Sequence, residues 1–302
     1  MNSSVGVNGI DTQNYKKIKD LLYYIKLLFT EKGIEETDTE AEELLSCILG
    51  CSRTELYLKF NEPLPPTTIA KIMEYAKLRM ENIPLPYIFN NVHFFGLDFF
   101  ISKPVFIPRK ETEILVEHAI NTIKHYDKEH PIIADIGTGC GCIIISVAKA
   151  LCQDAIFYAS DIDDLSLEIA RINIRRHKLD NKIILLKSDL FNQYPDALHK
   201  KIDFILANLP YVKEEEFSAL PKEIQIQSKI AHVGGKNGLE VYERFIPQCK
   251  KFLSDTGYIF IELGYGEKEK IEELISSNGL AVSNFIYDYQ HIPRICIAKR
   301  KI

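Results

Sequence analysis

No stretch of this 302-residue sequence is apolar for long enough to cross a membrane as a helix. The most apolar one, Cys142 to Cys152, is interrupted by Lys149 and falls far short of the roughly 20 residues that a span requires. Met1 to Asn14 is polar, with Ser, Gly and Asn, and lacks both the basic start and the apolar run of a signal peptide, so a disordered leader is expected there. Basic excess is missing too. The formal net charge is -5, and the first 80 residues carry slightly more Asp and Glu than Lys and Arg, which disfavours direct nucleic-acid binding. The seven cysteines are odd in number and scattered through apolar segments, as reduced thiols of a cytoplasmic protein are, rather than spaced as a disulfide framework. Cys140 and Cys142 stand too close together for a zinc knuckle and no second Cys/His pair sits at ligand spacing, so no metal is expected.

What the chain does have is 46% hydrophobic and 26% charged residues, enough for one substantial core and a second, smaller one. Ile18, Leu21, Leu22, Ile25 and Leu28 recur on one helical face, and Ala41, Leu44, Leu45, Ile48 and Leu49 on another, with Thr37 or Asp38 as its cap. A third helical run, Thr67 to Met80, follows Pro63, Pro65 and Pro66. Residues 15–83 therefore form a domain of four or five short helices with no chemistry of its own. Pro84 and Pro86 mark a joint, and His93 to Ile101 alternates like a hairpin turning at Gly96, so residues 84–113 are expected to be a linker.

Residues 114–302 are the expected catalytic domain. From Ile132 onward strands and helices alternate: Ile132–Ile136, helix Cys142–Leu151, Ile156–Ser160, helix Leu165–His177, Ile183–Lys187 and Phe204–Ala207. After a long loop come helix Leu239–Leu253, strand Tyr258–Glu262, a helix through Leu274, and closing strands near Ala281–Tyr289 and Arg294–Lys299. This alternation predicts an α/β fold, a mainly parallel sheet covered on both faces, with its ligand at the carboxyl ends of the strands.

Asp135-Ile136-Gly137-Thr138-Gly139-Cys140-Gly141 lies where a buried strand turns into a helix, and its glycines let the backbone approach a ligand with no Cβ in the way. The spacing is not that of a dinucleotide fingerprint, which places a third glycine or alanine where Cys142 stands. Asp135, just before the first glycine, repels a pyrophosphate but suits an amino group. Asp161 ends the next strand, placed to accept from both hydroxyls of a ribose, although it is also placed to cap the helix starting near Asp164. Asp189 closes the third strand and can accept from an adenine amino group, with Leu190 and Phe191 packing on the ring. The trio of acidic residues at successive strand ends resembles the binding signature of class I S-adenosylmethionine-dependent methyltransferases, a Rossmann-like fold with a mainly parallel seven-stranded sheet. The resemblance implies S-adenosyl-L-methionine as cofactor and S-adenosyl-L-homocysteine as product.

After the fourth strand comes Asn208-Leu209-Pro210-Tyr211. It resembles the Asn-Pro-Pro-Tyr signature of methyltransferases acting on planar amino or amide nitrogens, with Leu209 in place of the first proline. An amide nitrogen is a poor nucleophile because its lone pair is delocalised. The Asn208 side-chain oxygen and the Leu209 carbonyl can each accept one of its hydrogens and favour the positive charge that develops on nitrogen. Pro210 stiffens the loop and Tyr211 packs on the amide plane. Leu209 keeps the carbonyl and costs only rigidity.

Phe94-Phe95-Gly96-Leu97, Ile107-Pro108-Arg109-Lys110-Glu111-Thr112-Glu113, Gly234-Gly235-Lys236-Asn237-Gly238-Leu239, Glu262-Leu263-Gly264-Tyr265-Gly266 and Pro293-Arg294 resemble segments of the peptide chain release factor glutamine methyltransferases, the PrmC or HemK type. That family usually has Pro at Lys110 and Asp at Asn237. The resemblance covers the chain from about Ile34 onward. It implies methylation of N5 of the glutamine in the Gly-Gly-Gln motif of a peptide chain release factor, gripped by the helical domain, by a monomeric cytoplasmic enzyme that touches neither nucleic acid nor membrane. Arg109 and Glu111 are candidates for closing over the cofactor or for an interdomain salt bridge. Four other readings stay open: an RNA adenine N6-methyltransferase, since ribosomal adenine dimethyltransferases carry Asn-Leu-Pro-Tyr; a ribosomal-protein glutamine methyltransferase; and, from other classes, a nicotinamide-dependent dehydrogenase or an inactive docking module.

Overall fold

The computed structural model describes residues 16–151 and 154–301; the expected leader lies outside them. The chain divides between Phe89 and Asn90 into two compact units. The first holds α1 (Ile18–Glu31), α2 (Thr37–Leu49), α3 (Arg53–Leu58), α4 (Pro66–Met80) and α5 (Leu85–Phe89). Its core gathers the predicted apolar faces, with Leu21, Ile25, Leu44, Leu45 and Ile72 all excluded from solvent. Neither Thr37 nor Asp38 caps α2: both lie inside its first turn, Glu36 precedes it, and the Thr37 hydroxyl donates to the Ile34 carbonyl. The capping box falls instead on α3, where Ser52 Oγ accepts from Glu55 N at 3.2 Å and the Glu55 carboxylate accepts from Ser52 N at 2.8 Å. Leu85 is buried with this core and Ile88 and Phe89 pack on it. The first part of the expected linker is therefore helix.

The second unit opens with a hairpin, β1 (Asn91–Phe94) and β2 (Leu97–Phe100), turning through Phe95 and Gly96 at φ 49° and 73°. Two positive φ values in succession are those of a tight two-residue hairpin turn. The hairpin belongs to this unit: the Asn173 carboxamide accepts from Phe100 N at 2.7 Å and donates to Phe100 O at 2.9 Å. Then follow α6 (Glu111–Lys124), β3 (Ile132–Ile136), α7 (Cys142–Ala150), β4 (Ile156–Asp161), α8 (Asp164–Arg176), β5 (Ile183–Lys187), β6 (Ile202–Ala207), β7 (Val212–Lys213), α9 (Lys222–Gln225), β8 (Val233–Gly235), α10 (Glu240–Phe252), β9 (Leu253–Glu262), α11 (Lys268–Ser277), β10 (Leu280–Tyr287) and β11 (Pro293–Arg300).

Seven strands form one sheet in the order β10-β11-β9-β6-β3-β4-β5. β3, β4, β5, β6 and β9 run parallel, and β11 is antiparallel to both its neighbours. β3 and β6 are almost wholly buried, which is why they read as continuous apolar runs rather than alternating ones. From β3 the chain winds outward through β4 and β5, then returns to β6 on the other side of β3. That reversal opens a crevice at the carboxyl ends of β3 and β6, where a doubly wound sheet binds its ligand. No helix among the described residues is long and apolar enough to cross a membrane.

Candidate active site

A cavity of about 220 Å³ occupies that crevice. Gly137, Thr138, Gly139, Cys140, Asp161, Asp189, Leu190, Asn208, Leu209, Pro210 and Tyr211 all line it. The three strand ends and the tetrapeptide thus meet in one place, and of the segment Asp135 to Gly141 only Asp135 and Gly141 stand behind the wall.

The glycine turn is held from beneath. Asp161 Oδ2 accepts from Gly139 N at 2.8 Å, and Oδ1 accepts from Asp163 N at 3.0 Å. Each carboxylate oxygen keeps a lone pair for the cavity. Asp161 does not cap α8: Asp163 does, accepting from Ser166 N at 2.8 Å. Burial raises the Asp161 carboxyl above its ordinary value, against the hydrogen bonds that lower it. Asn173, wholly buried on α8, donates to the Cys140 carbonyl at 2.8 Å, so one side chain ties the turn to β2.

Asp135 is fully buried under the turn and accepts from Thr138 Oγ1 at 2.6 Å, while its Oδ1 has no partner among the described residues. Burial, and the charge of Asp161, push its carboxyl up to about 7 in spite of the Thr138 bond. The first turn of the loop folds over this strand end, so Thr138 rather than Asp135 reaches the cavity.

Asp189 is paired with Arg244 of α10, which also lines the cavity. Leu190 lines it as well, at φ 53°. Phe191 does not: it is 2% exposed and stacks on Phe252 with ring centroids 4.8 Å apart, as part of the core under the sheet. One residue of a left-handed turn separates a lining side chain from a core side chain, and the sequence carries no mark of where that switch falls.

The tetrapeptide is braced on three sides. Asn208 Nδ2 donates to Thr112 Oγ1 at 3.2 Å. The Tyr242 hydroxyl, fully buried, donates to the Glu262 carbonyl at 2.9 Å and reaches the Leu209 carbonyl at 3.3 Å. The Leu209 side chain is 4% exposed and packs on the glycine turn, close enough that a Cβ on Gly137 would sit 3.0 Å from its Cδ2. β7 leaves the tetrapeptide to pair with β8, and a Cβ on Gly234 would lie 2.3 Å from the Gly238 carbonyl oxygen and 2.5 Å from that of Pro210. The glycine-rich segment 234–238 is the backing of the Asn-Leu-Pro-Tyr loop. Thr112, Tyr242 and Arg244 were not among the candidate residues, since each acts through a partner far away in sequence.

Around the mouth, Arg109 donates to Gln227 Oε1 at 3.4 Å and lies over the Phe106 ring, both within the sheet unit. Glu111 opens α6 and adds negative charge near Glu262. His232 lines the cavity, and burial together with the Arg109 charge push it down to about 4, so it is neutral at physiological pH. Among the described residues no group of three or more His, Cys, Asp or Glu comes together as a metal site.

A doubly wound seven-stranded sheet with its last strand antiparallel, and a glycine turn and an Asn-Leu-Pro-Tyr loop at its switch point, define a class I S-adenosylmethionine-dependent methyltransferase. The hMettl16 catalytic domain, solved with a MAT2A 3′UTR hairpin, shares this fold at a TM-score of 0.52 and 19% identity, covering 80% of this chain and 84% of that one. Residues 20–89 match the PrmC N-terminal domain, and residues 116–210 match the ribosomal protein L11 methyltransferase (PrmA) family. The release factor glutamine methyltransferase of Geobacter sulfurreducens is 31% identical over 279 residues, which is 92% of this chain and 95% of that one. That of Aquifex aeolicus is 30% identical over 287 residues, 95% of this chain and 97% of its own length. The chain belongs to the release factor glutamine methyltransferase family.

Proposed function

We propose that this protein transfers a methyl group from S-adenosyl-L-methionine to N5 of the glutamine in the Gly-Gly-Gln motif of a peptide chain release factor. The observation that carries the reading is the convergence of the glycine turn, Asp161, Asp189 and Asn208 to Tyr211 on one cavity. The donor set suits the cofactor: Gly139 leaves open space for a backbone-hugging ligand, Asp161 offers two oxygens to a ribose, and Asp189 and Leu190 border the space an adenine would take. When bound, S-adenosyl-L-methionine supplies an electrophilic methyl group on a sulfonium.

The remaining work falls to the chain itself. Asn208 Oδ1 makes no hydrogen bond within the described protein and accepts one amide hydrogen of the glutamine; the Leu209 carbonyl, steadied by Tyr242, accepts the other. Two acceptors on one NH2 group fix the plane of the amide and its distance from the methyl. Their partial negative charges stabilise the cation forming on nitrogen in a site shielded from water. His232, held neutral, places no opposing charge beside it. Tyr211, whose phenol burial and the nearby Glu262 push up to about 12, stays un-ionised and packs on the amide. The N-terminal helical unit takes the role of holding the release factor. The enzyme acts as a cytoplasmic monomer with no direct contact to nucleic acid.

The test is mass spectrometry of a co-expressed release factor. The expected result is one added methyl on the Gly-Gly-Gln glutamine, absent when Asn208→Ala replaces the wild type. Methyl label appearing in ribosomal RNA, with none in release factor, would overturn the reading.

A further inference from the structure

A neutral imidazole has one nitrogen that donates and one that accepts, and its surroundings decide which is which. For His232 the deciding group is Gln227, a buried residue of the excursion between β7 and β8. Gln227 Oε1 accepts from Ile107 N at 3.3 Å and from Arg109 Nη2 at 3.4 Å, and its Nε2 donates to the Glu223 carbonyl at 3.2 Å. Turning that carboxamide over would set its NH2 against two N–H donors and its oxygen against a carbonyl, so its orientation is fixed. His232 Nε2 lies 3.3 Å from the same Oε1. A carbonyl oxygen cannot donate, so Nε2 carries the hydrogen. Nδ1 therefore keeps a lone pair, unbonded among the described residues yet not closed off.

The ring is also held in place. It packs on Phe106 and Phe217, with centroids 5.2 and 6.0 Å away. The His232 carbonyl accepts from Val212 N at 2.8 Å, which sets this residue beside the chain as it leaves Tyr211. His232 lines the same cavity as Asn208 to Tyr211, together with the apolar side chains of Phe106, Pro108, Ile230 and Val233. A fixed acceptor among apolar groups, in a cavity that already holds two acceptors for an amide, is a built site for one more N–H donor. Burial and the Arg109 charge, which keep the ring neutral, leave that lone pair available.

We propose that His232 Nδ1 is a substrate-binding acceptor that takes a main-chain N–H of the protein segment next to the glutamine. This rests on the reading of Asn208 to Tyr211 as the site of the glutamine amide. The two acceptors of that loop hold the glutamine side chain but not the backbone that carries it. In a Gly-Gly-Gln segment the neighbours are glycines, whose main-chain N–H groups no Cβ shields from a close approach. One hydrogen bond from that backbone to a fixed imidazole adds a third point of attachment, which sets the direction in which the segment crosses the mouth of the cavity.

The experiment uses the full chain and whole release factor. In nitrogen NMR spectra of histidine-labelled protein, with His232 assigned by its absence in His232→Leu, the free enzyme should show the tautomer protonated at Nε2. Adding release factor together with S-adenosyl-L-homocysteine should move the Nδ1 resonance upfield, as accepting a hydrogen bond does, whereas S-adenosyl-L-homocysteine alone should leave it in place. His232→Leu should raise KM for release factor about tenfold, the worth of one ordinary hydrogen bond, with kcat and S-adenosyl-L-methionine affinity within about twofold of wild type. His232→Asn, whose Oδ1 can stand near the place of Nδ1, should recover much of that loss. A ring protonated at Nδ1, an Nδ1 signal indifferent to release factor, equal losses in the two variants, or wild-type KM in His232→Leu would each overturn the proposal. Should the wild-type enzyme itself leave release factor unmethylated, the proposed function fails and this inference with it; methylation by wild type and His232→Leu with the same KM removes only the His232 acceptor.

Discussion

Replacing Gly234 by alanine is the sharpest test of how the catalytic loop is held. The new methyl carbon would start 2.3 Å from the Gly238 carbonyl oxygen and 2.5 Å from that of Pro210, both main-chain atoms that no rotamer change can move. Carbon and oxygen settle no closer than about 3.3 Å, so one of the two strands must retreat by nearly 1 Å. Gly234 does not lie in the left-handed region, so the cost is one of space and not of backbone strain. Overpacking of this kind costs roughly 1–3 kcal/mol of stability. Its larger effect is on catalysis: Pro210 follows the Leu209 carbonyl directly, and a displacement of about 1 Å at the reacting centre is worth on the order of a hundredfold in rate. Methyl transfer to release factor should drop by about that factor, while calorimetry of S-adenosyl-L-methionine binding, which depends on the opposite wall, should change by no more than a few-fold. A folded variant with wild-type kcat would refute the bracing role of segment 234–238.

Three further outcomes follow from the same geometry. Asn173→Ala removes the bonds to Phe100 N, Phe100 O and the Cys140 carbonyl, and should cost roughly 3 kcal/mol in urea unfolding with weaker cofactor binding alongside it; a loss of stability with unchanged affinity would show that the turn does not need this tie. Asp161→Ala should weaken cofactor binding about 10- to 100-fold through lost charge-assisted bonds, measurable by calorimetry at saturating release factor, and affinity within twofold of wild type would contradict its assignment. Asp135, whose carboxyl burial and Asp161 raise to about 7 from an ordinary 3.8, binds its proton more tightly folded than unfolded, so its contribution falls as pH climbs from about 4 to 7 and stays lost above that. Asp135→Asn should consequently gain stability relative to wild type between pH 5 and pH 8, by up to about 4 kcal/mol in ligand-free protein; a pH-independent difference would mean that burial does not move this carboxyl from its ordinary value.

Much of the sheet was legible because buried parallel strands leave unmistakable runs: Ile132–Ile136 and Ile183–Lys187 match to the residue, and β6 begins only two residues before its predicted start. The cofactor turn was legible for a related reason, since glycine spacing records where backbone must approach a ligand. α6 is hidden although Leu115, Val116, Ala119, Ile120 and Ile123 carry its period, because the motif at residues 107–113 reads as the end of a linker whereas Glu111 starts a helix. β7 and β8 span two and three residues and carry two glycines, too short for any alternation to register. Thr112 and Tyr242 matter only through the contacts that bring α6 and α10 to the tetrapeptide. A hydroxyl and a phenol scattered through a sequence have nothing in their spacing to link them.

The pairing of β7 with β8 has one more consequence. Val212 opposite Val233 and Lys213 opposite Gly235 pin the two ends of an excursion that runs out from the tetrapeptide and back, with Ser228 N fastened to the Pro104 carbonyl at 2.7 Å near its return. Because the ends are stapled, the outer residues 214–226 can change in length or chemistry without transmitting a pull to Asn208. The excursion is thus insulated from the loop it leaves, as a side road is from the junction it returns to.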